Sequence, residues 1–344
     1  MDDEIHVVIG MDPHKRAVTI EVMTSDEQVL GGGRFATDVE GFTSMLAYVA
    51  AWPNRVWAIE GCEGIGRHVA QRLIAKGEPV VDVPAKLSAR VRVLATSRSN
   101  KNDPNDARAV AIAALRAPAL AFVRPEDHVT VLRLLAKAHL DAGRARSRAC
   151  CRLHALVAEL VAGGIRKEVV VSQAESLLET IAPVGVAHQQ RLELAHELLD
   201  EIRVLDAKMK RSKDRIATAV GASATTLTDL YGVGPIIAAI VIGYSGDIRR
   251  FPTAGHYAAY NGTAPIELSS GGRTVHRLSR RGNRTLNHAI HMIAVTQIRN
   301  RDSEGRTYYD AKVAAGKTSR EALRALKRKI SDRVYRQRMN DLRR

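Results

Sequence analysis

The pattern of apolar and polar positions changes character three times along the chain. Near the start, apolar runs at Val7–Met11, Thr19–Met23 and Gln28–Phe35 are separated by turn residues and predict three consecutive strands. Phe42, Leu46 and Val49 then recur at helical spacing and predict a helix over Val39–Ala51. A strand at Arg55–Glu60, a helix over Ile65–Lys76 and a strand at Pro79–Val83 follow. Strand–helix–strand alternation predicts an α/β layer with some parallel pairing. From about Asn105 the sequence becomes Ala-rich and helical.

Residues 126–215 contain no convincing strand beyond a doubtful Val169–Val171. Leu132, Leu135, His139 and Ala142 share a helical face, as do Leu153, Leu156 and Leu160, and later Leu192, Leu198, Ile202 and Leu205. Two long helices joined by a loop near Gly163–Ile181 fit this spacing, either as an antiparallel hairpin or as a coiled coil with a partner. After Gly221 the segment LYGVGP precedes an apolar helix over Ile236–Ile242. Gly232 and Gly234 permit close backbone approach, and Pro235 suits the first helical position. Such a helix start, in a helix-hairpin-helix-like element, offers amides to a DNA phosphate; a plain turn before a buried helix has the same pattern. The tail from Thr318 reads as a basic helix with no visible chemistry.

Charge sharpens this division. The 344 residues carry 52 Lys and Arg against 37 Asp and Glu, a formal net charge of +15. Residues 1–120 hold 14 basic and 15 acidic side chains and residues 121–219 hold 16 and 13. Residues 220–344 hold 22 and 9, so the excess lies in the last third. That asymmetry points to a polyanionic partner met through phosphates. Aromatics make up only 4%, too few for a base-stacking platform. Three cysteines and no metal-spaced pair argue against a disulfide scaffold or zinc site and for a reducing, cytoplasmic location. The acidic first residues and the lack of a long apolar run predict neither export nor a membrane span.

Four carboxylates stand at positions where chemistry is feasible. Asp12 follows the first strand in GMDPHK, Glu60 ends a strand in AIEGCEG, and Asp103 and Asp106 lie in KNDPNDARA. Acids at the ends of buried strands meet at the rim of a sheet and can share a hard cation such as Mg²⁺. Two such ions can stabilise the attacking and leaving oxygens of a phosphodiester. Singly, each acid has a plainer reading: Asp12 starts a turn, Glu60 faces solvent, and Asp103 caps a helix that has Pro104 at its first position. Together they form the acidic pattern of a ribonuclease-H-like nuclease. Farther on, Ser269 and Ser270 precede two glycines, and Arg273, Arg277, Arg280, Arg281 and Arg284 follow. A serine hydroxyl can attack a DNA phosphate, with arginines holding its oxygens. On residue chemistry alone, a phosphate-binding Ser-Ser-Gly-Gly loop is the simpler reading.

These motifs, in this order, resemble the DEDD transposases of the bacterial insertion-sequence 110 family over nearly the whole chain. GMDPHK, AIEGCEG and KNDPNDARA are similar to the acidic set of that family's N-terminal domain. LYGVGPIIAAIVIGYSGDIRRF, AAYNGTAPIELSSGGR and LSRRGNRTLNHAI are similar to its C-terminal domain. Pro104 and the form of LSRRGN depart from many relatives. The resemblance implies a RuvC-like α/β domain over residues 1–122, a helical, coiled-coil region over 123–218, and a mostly α, basic transposase domain over 219–344. It implies that Asp12, Glu60, Asp103 and Asp106 bind Mg²⁺ and that Ser270, or Ser269 beside it, is the nucleophile. DNA is then the substrate, joined through a covalent serine–DNA intermediate in a composite site of a homodimer or homotetramer. In some members a structured guide RNA pairs with donor and target DNA, and such an RNA is an expected partner here. The alternative is a RuvC-like Mg²⁺-dependent endonuclease that uses water and leaves no adduct. A binding protein without catalysis is a third reading, against which the four acids count.

Overall fold

The computed structural model describes residues 6–95, 103–165, 169–270, 273–278 and 282–343. The chain divides into two compact units, Met1–Glu126 and Asp127–Arg344. None of the described helices is long and apolar enough to cross a membrane.

The first unit is built on strands β1 (Val7–Pro13), β2 (Ala17–Thr24), β3 (Val29–Ala36), β4 (Arg55–Glu60), β5 (Val80–Val83) and β6 (Ala121–Phe122). They form one sheet in the order β3-β2-β1-β4-β5-β6. β1 pairs antiparallel with β2 and parallel with β4, and β4 pairs parallel with β5. A central strand covered on both faces must be apolar throughout rather than alternating. That is why VVIGMDP is buried at nearly every position. Helices α1 (Val39–Val49) and α2 (Arg67–Ala75) cover one face, where Phe42, Met45, Val69 and Leu73 pack on Val7, Ile9, Met11 and Trp57. Burying each of those large apolar side chains stabilises by roughly 1.5–3 kcal/mol. Helices α3 (Ala85–Ala95) and α4 (Asp103–Arg116) lie on the other face, with Val110, Ala111 and Ala113 against Val8, Ala58 and Val81. The first unit is α/β, with parallel pairing at the centre of its sheet, as the sequence predicts. Helix α3 lies in a segment, between Val83 and Asn105, to which the sequence pattern assigns no element.

One polar cluster locks the far end of this sheet. Glu78 accepts from Arg55 Nε at 2.8 Å and from the buried Trp57 indole at 2.8 Å. Arg55 also donates to the carbonyls of Val49 and Trp52, tying β4 to the end of α1. Burial opposes ionisation of Glu78, but the Arg55 and Trp57 hydrogen bonds prevail and hold its carboxyl below the ordinary value of 4.5. A carboxyl lowered by folding contributes stability above its unfolded value and loses it as pH falls. Glu78→Gln, which leaves Arg55 without its counter-charge, is expected to destabilise the protein by about 2–3 kcal/mol. Denaturant titrations at pH 7 and below about 4.5 check this, because the gap between wild type and variant closes in acid.

In the second unit, α5 (His128–Leu160) and α7 (Val186–Ala222) are the two long helices expected. Arg146 pairs with Asp206 and Arg191 with Glu159, so position rises along one helix as it falls along the other; the pair is antiparallel. Leu153, Val157, Leu198 and Ile202 fill the seam. The predicted loop between them holds a further helix, α6 (Val171–Glu179), and Val169–Val171 is not a strand. Ala174 and Leu178 of α6 bury against that seam, and tertiary packing of two apolar residues decides a segment too short to declare itself.

The ends of α5 and α7 join a second core with α8 (Pro235–Ser245), α9 (Ala254–Tyr260), α10 (Arg284–Arg299), α11 (Glu304–Ala314) and α12 (Ser319–Asp341). Between α9 and α10 stands a two-stranded antiparallel hairpin, β7 (Pro265–Ser270) and β8 (Arg273–Leu278). Ser269 and Ser270, expected in a loop, are instead the last residues of β7, and the two glycines at 271–272 lie outside the described residues.

Candidate active site

The parallel register of β1 and β4 ends at Met11 opposite Ile59. Asp12 and Glu60, the next residues, therefore stand side by side at the carboxyl edge of the sheet, where open α/β sheets receive ligands. Helix α4 supplies the other two acids from its first turn, Asp103 and Asp106. Its approach to β1 depends on Gly10. A Cβ at Gly10 would fall 2.1 Å from the carbonyl oxygen of Ala107 and 2.8 Å from the Ala111 methyl, both on α4. The absence of a side chain at Gly10 and the small ones opposite let the helix lie directly on the strand. Gly10→Ala is expected to destabilise by about 1–3 kcal/mol through overpacking. It is also expected to weaken cation-induced stabilisation, which melting curves with and without Mg²⁺ check.

The four acids are arranged in two pairs. His14 Nε2 lies 3.3 Å from Asp12 Oδ2 and 3.5 Å from Asp103 Oδ1. Arg92 of α3 lies 3.0 Å from Asp106 and 4.0 Å from Glu60. Arg34 of β3 meets Asp103 at 2.5 Å, and Ser88 of α3 donates to Glu60. Burial pushes the Asp12 carboxyl up; His14 works against that, while Asp106, Asp103 and Glu60 push the same way. Asp12 thus feels all three other carboxylates. The charge is balanced by groups that were not picked out in the sequence. His14 stood in plain view, two residues after Asp12 in GMDPHK. Ser88 and Arg92, four apart on one helix face, become legible only once α3 is known to be a helix.

The donor set fits a divalent cation. One ligand atom each from Asp12, His14 and Asp103 lie within 4.8 Å of one another. His14 Nε2 is buried in ion-pair range of two carboxylates yet makes no hydrogen bond among the described residues. Carboxylate oxygens are the ligands a hard cation prefers.

The second unit holds the remaining predicted residues. Ser269 and Ser270 are the last two positions of β7, opposite Thr274 and Arg273, and Arg277 lies opposite Ile266. Arg280 and Arg281, and the two glycines at 271–272, lie outside the described residues. Arg284 opens α10 and is exposed. Gly232 adopts φ +88°, and a Cβ there would fall 3.3 Å from the Ile293 carbonyl oxygen, while Gly234 caps α8 with Pro235 at the first position. A short 3₁₀ turn over Leu227–Asp229 precedes them.

Two family descriptions match this chain. One, described as a transposase of the DEDD type, covers residues 9–161, and the other, the transposase IS116/IS110/IS902 family, covers residues 224–310. A probable family 20 transposase of Pseudomonas aeruginosa is 29% identical over 80% of this chain and 79% of that protein. An uncharacterised 44.8 kDa protein of insertion element IS116 from Streptomyces clavuligerus is 24% identical over 95% and 93%. Among solved structures, T. thermophilus RuvC in complex with a Holliday junction substrate is 15% identical with a TM-score of 0.28, over 34% of this chain and 99% of that one.

Proposed function

This chain belongs to the IS116/IS110/IS902 family of transposases, and from that premise we propose that it moves DNA through a covalent serine intermediate, with Ser270 as nucleophile and Asp12, Glu60, Asp103 and Asp106 holding Mg²⁺. It is a DNA transposase or recombinase, DNA is its partner, and its DEDD class implies use of a divalent metal. The observation that carries the proposal is the meeting of four carboxylates, distant in sequence, at the carboxyl edge of one sheet.

Bound there, a divalent cation would screen the phosphate charge and lower the pKa of a coordinated hydroxyl. Asp12 and Asp103 are the acids best placed to hold it, with His14 between them. Ser88 fixes the Glu60 carboxylate, and Arg92 keeps Glu60 and Asp106 from repelling each other. The Ser270 hydroxyl gives up its proton as its oxygen bonds to phosphorus. The displaced deoxyribose oxygen leaves and takes up a proton, so the step is proton-neutral. Each cut phosphodiester is kept as a phosphoserine ester, and attack by a new DNA hydroxyl releases the serine. Arg273, Arg277, Arg280, Arg281 and Arg284 hold phosphate oxygens, and the helix start carrying Gly232 and Gly234 meets DNA backbone. The reading extends to a structured RNA, for which the basic last third supplies charge, and to a homodimer or homotetramer that completes the composite site.

The test is a trapping assay. Protein mixed with the DNA flanking its own gene, Mg²⁺ and RNA transcribed from that flank is denatured and run on a gel. A protein band shifted by covalently attached DNA is expected. Cut DNA without such a band would replace the serine by water as nucleophile.

A further inference from the structure

The basic tail helix, which carries no chemistry in the sequence, lines a cavity of about 330 Å³ at the root of the β7–β8 hairpin. That volume is at the lower end of ligand pockets. Its walls are Gly262 to Pro265 on one side and the first turns of α12 on the other. Four lining side chains are basic, Lys317, Arg324, Lys327 and Arg328, and one is acidic, Glu321. The acid is engaged by the helix start: its carboxylate accepts from Thr318 N and Oγ1 at 2.9 and 2.7 Å, closing a capping box.

Lys327 is the telling residue. It is half-buried, and its ammonium donates to the neutral Asn287 Oδ1 at 2.7 Å. Among the described residues it has no carboxylate within ion-pair distance, and burial pulls its pKa down. A charge held out of water with only an amide for company is costly unless an anion joins it. The cradle around it is rigid. Asn287 donates to the carbonyl of Asn261, and the fully buried Asn261 donates to Ser331 and accepts from Thr263 N and Oγ1. This network accounts for Asn261 and Thr263 in NGTAP, which no other role absorbed. Gly262 (φ +73°) and Gly282 cross so closely that a Cβ on Gly282 would fall 2.5 Å from Gly262 Cα. The wall of the cavity and the base of β7 are therefore one body, with Ser270 roughly 17 Å along the strand from Pro265.

We infer that this cavity is a phosphodiester-binding site, in which Lys327, Arg324 and Lys317 grip a backbone phosphate of the strand presented to the β7–β8 hairpin. The nature of the ligand as nucleic acid rests on the transposase reading. DNA and RNA share the chemistry, and the experiment separates them.

Binding is measured in EDTA, where no strand is cut, as a function of salt, with a duplex of the flanking DNA and with the flank RNA transcript as probes. The proteins are wild type, Lys327→Met, Arg324→Gln and, as a control, Arg320→Gln, an exposed arginine of the same helix outside the cavity. Each lost phosphate contact flattens the plot of log affinity against log salt by about 0.9 for duplex DNA and about 0.7 for a single strand. Both cavity variants are expected to flatten it by that amount on at least one probe, and the probe affected names the source. The control is expected to change it far less. Arg324 is exposed, so its variant reports even if Lys327→Met unfolds. Equal slopes for Arg324→Gln and wild type on both probes, or an equal loss in Arg320→Gln, would overturn the site. A flattened slope from a protein that yields no adduct in the trapping assay would instead keep the site and discard the serine mechanism.

Discussion

Asp12→Asn is expected to lower strand cleavage and joining by at least about 10³, the scale on which enzymes lose rate when a catalytic group goes. The fold is expected to survive. Asparagine keeps the shape of the side chain at the end of β1 and removes one negative charge from a set of four acids. Repulsion within that set then falls, so the metal-free variant is expected to melt no lower than wild type. Adding Mg²⁺ separates the two. A ligand that binds only the folded state stabilises it by mass action, so the wild-type melting temperature rises with Mg²⁺ and the variant's rises less. Melting curves in EDTA and in Mg²⁺, run beside the cleavage assay, decide the matter. An inactive variant with a full Mg²⁺ response would take Asp12 out of the ligand set.

Ser270→Ala is expected to abolish the covalent adduct outright while DNA affinity stays at the wild-type level. Loss of a nucleophile in other enzymes lowers turnover by about 10⁶, which on a gel is absence. Ser269→Ala is expected to keep the adduct. Both positions pair through the backbone at the end of β7, so alanine removes a hydroxyl without removing a strand hydrogen bond. Their contrast assigns the nucleophile between neighbours. An adduct that vanishes only with Ser269→Ala moves the role back by one residue, and one that survives both variants removes serine chemistry altogether.

The sheet was legible because its strands are short apolar runs between turn residues, and the acids because they follow those runs directly. What escaped the sequence was set by partners far along the chain. Helix α3 carries Ser88 and Arg92 to the acids, yet the apolar face that seats it, Leu87 and Val91, spans little more than one turn. Helix α6 exists because Ala174 and Leu178 find the seam between α5 and α7. Gly10 looks like any strand glycine until Ala107 and Ala111 are seen against it. The hairpin did leave a signal. IELSS and RTVHRL flank two glycines, and alternating runs around a Gly-Gly pair are a hairpin pattern.

The division of the chain into two units, each with cores of its own, bears on how such an element decays. The carboxylates and the serine are encoded on opposite sides of Glu126. A frameshift just beyond that codon spares every core residue of the sheet domain and removes Ser270, the nucleophile proposed above. Copies crippled in this way would keep the four acids and lose the basic last third from which the proposed phosphate contacts come. Within one genome, such wreckage would then be a silent passenger, folded at its sheet yet without a hold on DNA.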